Sequence, residues 1–422
     1  MPSIIFINKY FAPDHSATSQ ILTDLATHLA ASRFDVDVVT SRQTYGNPNA
    51  ELPETATLDG VRIHRLTTSR HGRSSLTGRG LDTLSFYRTA SRKVRELAHP
   101  GDVVVAKTDP PLLSIPIGRA AAARGALVVN WLQDLYPEVA GELGVRVLRG
   151  PAGAALARLR DRSLRAAAMN VAIGDRMAAR LRGRGIPAAR VRVIPNWADE
   201  EAIHPVAPEA NRYRDELGLR DAFVVGYSGN LGRAHEIDTL LGAAEKLQGT
   251  TGIAFLFIGG GHLRGALEAE VRRRGLRGFV FRDYAPREML SESLTVADVH
   301  FVSLRPAMEG LIVPSKIYGI AAAGRPVIAV AAKDGEIGAL VARHRFGVPV
   351  APGDASGFAD AILALRDDGE LRSEMGRNAR TVVNGPFAKR EALRQWRSLL
   401  TELAPALPPV KREPFPAERR KG

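Results

Sequence analysis

The 422-residue chain contains no cysteine, so disulfides, thiolate metal sites and cysteine nucleophiles are excluded. It also has no glycine before Gly46. The turn after the first apolar run, NKYFAPDHSATSQ, therefore lacks the glycines that let backbone approach a pyrophosphate, and an N-terminal dinucleotide site is excluded. Neither G-x4-G-K-[ST] nor H-E-x-x-H occurs, which removes the P-loop nucleotidases and the helix-borne zinc protease site. Ser228 in GYSGN does not complete G-x-S-x-G and reads as a turn serine, not a nucleophile elbow. Aromatic residues are only 6% of the chain, and no helix-turn-helix, RNA-recognition or zinc-finger pattern accompanies the basic charge, so no nucleic-acid partner is expected. No run approaches the roughly 18 apolar residues of a membrane span. The start, MPSIIFINKYFAP, lacks the basic region of a signal peptide, and a cytoplasmic protein is expected.

What is present in excess is arginine. The formal net charge is +13. Val61 to Arg95 carries nine Arg/Lys against Asp82 alone, and Arg146 to Arg192 carries twelve Arg against Asp161 and Asp175. Such a face suits anionic lipid or a phosphorylated substrate, which makes peripheral attachment to the inner membrane face an expectation. An arginine-rich surface with no partner is the alternative.

Apolar runs alternate with helical periodicity along nearly the whole chain. Strands are expected at 3–8, 36–40, 61–66, 103–106, 126–132, 169–173 and 191–195, with a first helix carrying Ile21, Leu22, Leu25, Ala26 and Leu29 at helical spacing and further helices around 83–98, at 112–124 and from Asp175. The pattern restarts with strands at 223–230, 253–261, 279–281, 299–304 and 326–332, and helices at 236–247, 262–275, 286–296 and 315–323. Continuous β-branched runs between amphipathic helices predict parallel sheets covered on both faces. The expected fold is α/β: two Rossmann-like doubly wound domains facing a cleft, spanning residues 1–198 and 199–400. A Pro/Arg-rich tail, 401–422, is expected to be disordered.

Two loops of the second domain suit phosphate. In SGNLGRAHE (228–236), Gly229 and Gly232 let backbone approach a ligand, and Arg233 adds a fixed charge. In SLRPAMEGLIVPSKIYGIAAAGRPVIAV (303–330), a lone carboxylate, Glu309, precedes the N–H groups of Gly310, Leu311 and Ile312, then Ser315 and Lys316 at a helix start. Together they suggest a diphosphate held without metal. The carboxylate would repel phosphate, so it should face hydroxyl groups. Gly259-Gly260-Gly261 reads as a tight turn, and Asp35-Val36-Asp37 as alternate carboxylates facing solvent at a strand mouth, ahead of a metal–diphosphate D-x-D site.

YSGNLGRAH, the EG…PSK.YG..AAGRPVIA stretch and VIPNWAD (193–199) resemble retaining glycosyltransferases of family 4, which have the GT-B fold. NKYFAPD, FDVDVVTS and QDLYPE (133–138) resemble the polysaccharide-building branch of that family, including colanic acid and aminosugar (L-FucNAc-type) transferases. The resemblance runs from residue 1 to about 400. It implies a nucleotide-diphosphate sugar donor, UDP-linked by preference, and a lipid-linked saccharide or other glycan acceptor. It also implies transfer with retention and no metal or other cofactor. It assigns Glu309, Asp134, Arg233 and Lys316 to catalysis, and Ser228, Gly229, Asn230, Gly232, Gly310, Leu311, Ile312, Ser315 and Gly319 to the donor. The family pairs two glutamates eight positions apart. Counting back from Gly324 puts them at Leu311 and Gly319, so Glu309 takes the first role only with a longer loop. The family's Arg and Lys after the first glycine fall on Asn230 and His235, which leaves Arg233 and Lys316 as phosphate partners. Gln133-Asp134 stands where an active-site histidine is often found; Asp134 then lies near the reacting sugar or caps a helix. A sugar-nucleotide 2-epimerase and a non-catalytic nucleotide-sugar-binding scaffold are the alternatives.

Overall fold

Alternate residues of the first strand point into different cores, and this is the plan of the whole molecule. The computed structural model describes residues 2–45, 47, 49–71 and 76–404. In β1 (Ser3–Ile7), Ile4 and Phe6 join one buried cluster and Ile5 and Ile7 another, on the opposite face of the sheet. The same split divides Val103 and Val105 from Val104 and Ala106. Strands covered on both faces need apolar residues at every position, which is why these runs do not alternate.

The first sheet comprises β1, β2 (Asp35–Ser41), β3 (Thr55–Leu58), β4 (Val61–Leu66), β5 (Val103–Lys107), β6 (Leu127–Leu132), β7 (Met169–Ala172) and β8 (Val191–Val193). Their order is β3-β4-β2-β1-β5-β6-β7-β8, parallel except for β3 against β4. The second comprises β9 (Phe223–Ser228), β10 (Ile253–Ile258), β11 (Phe279–Arg282), β12 (Val299–Ser303), β13 (Val327–Val330) and β14 (Gly347–Val350), in the order β11-β10-β9-β12-β13-β14. Around the first sheet lie α1 (Ala17–Ala31), α2 (Leu76–Leu97), α3 (Ser114–Ala122), α4 (Glu138–Glu142), α5 (Pro151–Ala166) and α6 (Asp175–Gly183). The second carries α7 (Arg212–Glu216), α8 (Asp238–Lys246), α9 (Arg264–Arg273), α10 (Leu290–Thr295), α11 (Lys316–Ala322), α12 (Glu336–His344), α13 (Ala355–Asp367) and α14 (Gly369–Asn384), and α15 (Lys389–Leu403) follows them. The two doubly wound sheets are the expected architecture. Strand order reverses beside β1 in the first and beside β9 in the second, and such reversals open a crevice at the strand C-termini.

The last helix leaves the second sheet and returns to the first. Lys389 pairs with Asp24 at 3.0 Å and Asp199 at 2.9 Å, and Trp396 packs on Trp131 with ring centroids 4.6 Å apart. Helix α15 runs to Leu403, so the expected 401–422 tail is corrected at its start, where residues 401–403 are helical; from residue 405 it lies outside the described residues. Among the described residues, no helix is long and apolar enough to cross a membrane.

One sequence expectation is corrected here. Asp37 does not face solvent: it is 1% exposed and accepts two hydrogen bonds from Arg62, at 2.9 and 2.8 Å, with His64 Nε2 at 2.8 Å. Burial alone would raise its pKa, but the bonds to His64 and Arg62 prevail and hold it at about 2. The pair of aspartates braces β2 against β4.

Candidate active site

The C-terminal end of β9 turns through Gly229–Gly232, and the turn is braced from below by Gly259–Gly261. A side chain on Gly259 would lie 2.4 Å from the Gly229 carbonyl, and one on Gly261 would lie 2.5 Å from the Leu231 nitrogen. Both glycines have φ near +120°. The triple glycine is therefore a support for the neighbouring loop. Leu231 N–H bonds to the Gly260 carbonyl at 2.7 Å, and Gly229 N–H to Ile258 at 2.9 Å.

Above this loop stands Lys316, from the first turn of α11. Its ammonium donates to the Tyr227 hydroxyl, to His235 Nε2 at 3.1 Å and to the Asn230 carbonyl at 3.5 Å, and lies 4.1 Å from the Tyr227 ring centre. The tautomer of His235 follows from its other nitrogen. Nδ1 faces the Ser303 carbonyl at 2.7 Å, which can only accept, so Nδ1 carries the proton and Nε2 offers a lone pair. Burial, then the neighbouring Lys316, pushes the His235 pKa down to about 3. Loss of hydration lowers Lys316 to about 7, so its charge is weakly held until an anion arrives. Asn230, Lys316, Gly229 and Gly232 are brought together. Arg233 is exposed beside them, and its carbonyl accepts from Arg305 at 3.4 Å. Ser315 is exposed at the start of α11, and Gly319 lies within that helix facing Leu294.

Glu309 sits elsewhere, at the seam between the domains. Its Oε2 accepts the Glu336 N–H at 3.0 Å, and Oε1 is buried without a partner. Burial raises its pKa. Among the described residues no hydrogen bond joins Glu309 to Lys316. Gly310, with φ +71°, packs against the Arg176 carbonyl, where a side chain would come within 2.9 Å. The Leu311 carbonyl accepts from Leu135 N–H of the first domain at 2.9 Å, and Ile312 forms a bridge with Asp134. The Leu311 and Ile312 N–H groups turn back to the Met308 carbonyl, at 2.9 and 3.4 Å.

Asp134 thus meets the Glu309 loop across the cleft, at the end of β6. It shares a cavity of about 10 Å³, room for one water at most, with Lys107, Tyr136 and Arg160. Lys107 is 2% exposed, donates to the Thr18 carbonyl at 2.8 Å and lies 3.9 Å over Trp131. Burial, and then Asp109, raises Asp134 to about 7, while Lys107 opposes them. Burial likewise lowers Lys107 to about 7. Reciprocal amide bonds between Gln133 and Asn196, 3.0 and 2.7 Å, fix the strand end beside it.

Four residues of this arrangement, Tyr227, His235, Lys107 and Glu336, carry no role in the sequence reading. The signal available for Lys107 was a charge closing an otherwise apolar strand; for His235 it was its place in the Ser228 loop.

The chain matches a glycosyl transferase 4-like domain over residues 17–197 and glycosyl transferases group 1 over residues 222–368. It is 31% identical over 297 residues to a protein named as a probable glycosyltransferase, WbjE of Pseudomonas aeruginosa, covering 69% of this chain and 73% of that one. It is 28% identical to WcaI of Escherichia coli (strain K12), named as a colanic acid biosynthesis glycosyl transferase, over 52% of this chain and 55% of that one. In fold it superposes on HepE of Anabaena in complex with UDP-glucose with a TM-score of 0.71, at 17% identity, covering 95% of this chain and 100% of that one.

Proposed function

We infer the reaction from one premise: the chain belongs to the glycosyltransferases, with a 4-like first domain and a group 1 second domain. Its donor is a nucleotide-diphosphate sugar, UDP-linked by preference, held by the second domain. Its acceptor is a lipid-linked saccharide or another glycan, held by the first, and the product feeds a cell-surface polysaccharide. The observation that carries this reading is Lys316: a cation whose charge is weakly held, set between the β9 loop and α11 at a strand-order reversal. The name of WcaI supports polysaccharide building, and the UDP-glucose held by HepE supports the donor.

In the transfer, the bond between the sugar's anomeric carbon and the diphosphate oxygen breaks, and a bond to the acceptor oxygen forms. The acceptor hydroxyl enters on the face the nucleotide leaves, so configuration is retained, and the departing phosphate takes its proton. Negative charge grows on the diphosphate. Lys316 and Arg233 meet it, with roughly 3–4 kcal/mol for each well-placed donor, so no metal is required of this site. Glu309 takes the donor sugar's hydroxyls through Oε1, which is buried without a partner and is uncovered as the donor enters. Asp134 approaches the reacting carbon from the first domain. Contact between the two loops excludes water, the competing acceptor. The arginine-rich first domain draws the enzyme to anionic lipid at the inner membrane face, with about 1 kcal/mol per basic group near the surface.

The test is calorimetric titration of UDP and GDP in EDTA. Micromolar UDP binding, weakened by Lys316→Ala and spared by Glu309→Ala, is expected. Absence of binding by either nucleotide would overturn the donor site and leave a scaffold.

A further inference from the structure

Single exposed apolar side chains are ordinary, but several on neighbouring elements are not. Of the six most exposed large apolar side chains among the described residues, Leu81, Leu84, Val147 and Leu159 lie on α2, on α5 or in the turn before α5. Between α2, α3 and α5 runs a groove of about 500 Å³, the size of a ligand pocket. Leu84, Ile115, Pro116 and Leu156 form its apolar walls. Arg88 and Arg95 from α2 and Arg119 from α3 stand exposed at its rim, and among the described residues none of the three makes an ion pair. The spacing explains the arrangement: Leu84, Arg88, Ser91 and Arg95 repeat at four, three and four residues and share one face of α2. The opposite face, Phe86, Ala90 and Val94, is in the core. The Ser91 hydroxyl is buried toward the groove without a partner.

A single wall separates the groove from the cavity at the end of β6. Leu112 forms part of its wall and also part of the wall of the cavity that holds Asp134 and Lys107. Leu112 has φ +61°, a conformation rare for leucine, and the Tyr87 hydroxyl donates to the carbonyl of Pro111 beside it. An apolar channel with unpaired arginines at its rim and a catalytic carboxylate beyond one wall matches a molecule with three parts: a hydrocarbon chain, a phosphate and a sugar.

We propose that this groove holds the hydrocarbon of a long-chain lipid phosphate, with Arg88, Arg95 and Arg119 on the phosphate, and that this lipid is the carrier of the acceptor sugar. The proposal rests on the transferase reading for its account of the sugar. Its lipid half can be tested without it. Guanidinium suits phosphate because its N–H groups match two oxygens at once.

The experiment titrates farnesyl phosphate, farnesol and inorganic phosphate separately into the full chain, then into Leu84→Gln and into the Arg88→Ala/Arg119→Ala double variant. UDP is titrated into all three proteins as a control for the donor site, and flotation with phosphatidylglycerol vesicles is run in parallel. Farnesyl phosphate is expected to bind at least about tenfold tighter than either fragment, and each variant to lose about tenfold in that affinity with UDP binding unchanged. Equal affinity for farnesyl phosphate and a fragment, or affinity that neither variant changes, overturns the proposal. Flotation without farnesyl phosphate binding also overturns it and identifies a general membrane face. If UDP fails to bind the parent protein while farnesyl phosphate behaves as expected, the donor reading falls and the groove assignment stands.

Discussion

Glu336 of the second domain holds the backbone N–H of Arg176 in the first at 2.7 Å. The same carboxylate accepts the Asp175 N–H at 3.1 Å, so it caps α6 across the cleft. Glu336 N–H is in turn held by Glu309 at 3.0 Å. Glu309 and the inter-domain clasp are therefore one chain of contacts. Glu336→Ala removes a helix cap, a loss of about 0.5–2 kcal/mol. We expect small-angle scattering to show a larger radius of gyration for this variant than for the parent chain. Identical profiles would mean that the clasp does not hold the domains.

Binding of UDP should weaken as pH rises. Lys316 titrates near pH 7 in the free protein and must be charged to meet a diphosphate, so above pH 7 binding takes up a proton. The affinity is expected to fall by up to tenfold per unit between pH 7 and 9. Lys316→Arg, whose charge does not titrate there, should flatten the curve. A flat profile in the parent, or an unchanged slope in the arginine variant, would assign the binding charge to another group.

Asp134→Asn should lose activity and gain stability. The carboxyl titrates near 7, above its ordinary range, so the folded chain binds more protons than the unfolded one between about pH 4 and 7. Its penalty therefore grows as pH rises through that window and is complete above it. At pH 8 the asparagine variant is expected to be more stable by about 1–3 kcal/mol, near 2–4 °C for each kcal/mol in melting temperature. At pH 5 the two proteins should melt together. Transfer should slow by roughly 10²-fold if the carboxylate serves the reacting centre. A variant with full activity would leave Asp134 a purely structural group.

Gly259→Ala tests the support beneath the Gly229–Gly232 loop. The added methyl would meet the Gly229 carbonyl at 2.4 Å, in a backbone conformation that L-residues rarely adopt. The cost is about 1–3 kcal/mol, and the Gly229–Gly232 loop must shift. UDP affinity should fall with stability. A stable variant that binds UDP normally would separate the two loops.

The sequence made the sheets legible wherever both faces are buried. Val103–Ala106 is apolar throughout because each side chain enters one core or the other. Helix α5 stayed hidden for the opposite reason. Part of its buried face is Arg160 and Asp161, with Arg160 3% exposed and bound to Glu138 at 2.8 Å, so an ion pair stands where an apolar stripe would have marked the helix. Strand β3 pairs antiparallel at the sheet edge, with Thr55 and Thr57 exposed, and left only a short polar stretch to read. In the active site, Lys316 was visible from its loop. Its contact with His235 was not, because it joins positions 81 apart and no local pattern encodes it. The same holds for Glu309 and Glu336, which meet through the packing of β12 and β13.

The chain's three tryptophans all meet at one point: Trp131 on β6 stacks with Trp197 at 6.2 Å and packs on Trp396 of the last helix at 4.6 Å. Indole absorption and emission therefore come from a single locus. The near-ultraviolet dichroism of the coupled rings reads the docking of the last helix onto the first sheet, so the protein carries an intrinsic optical gauge of how its two ends of chain are joined.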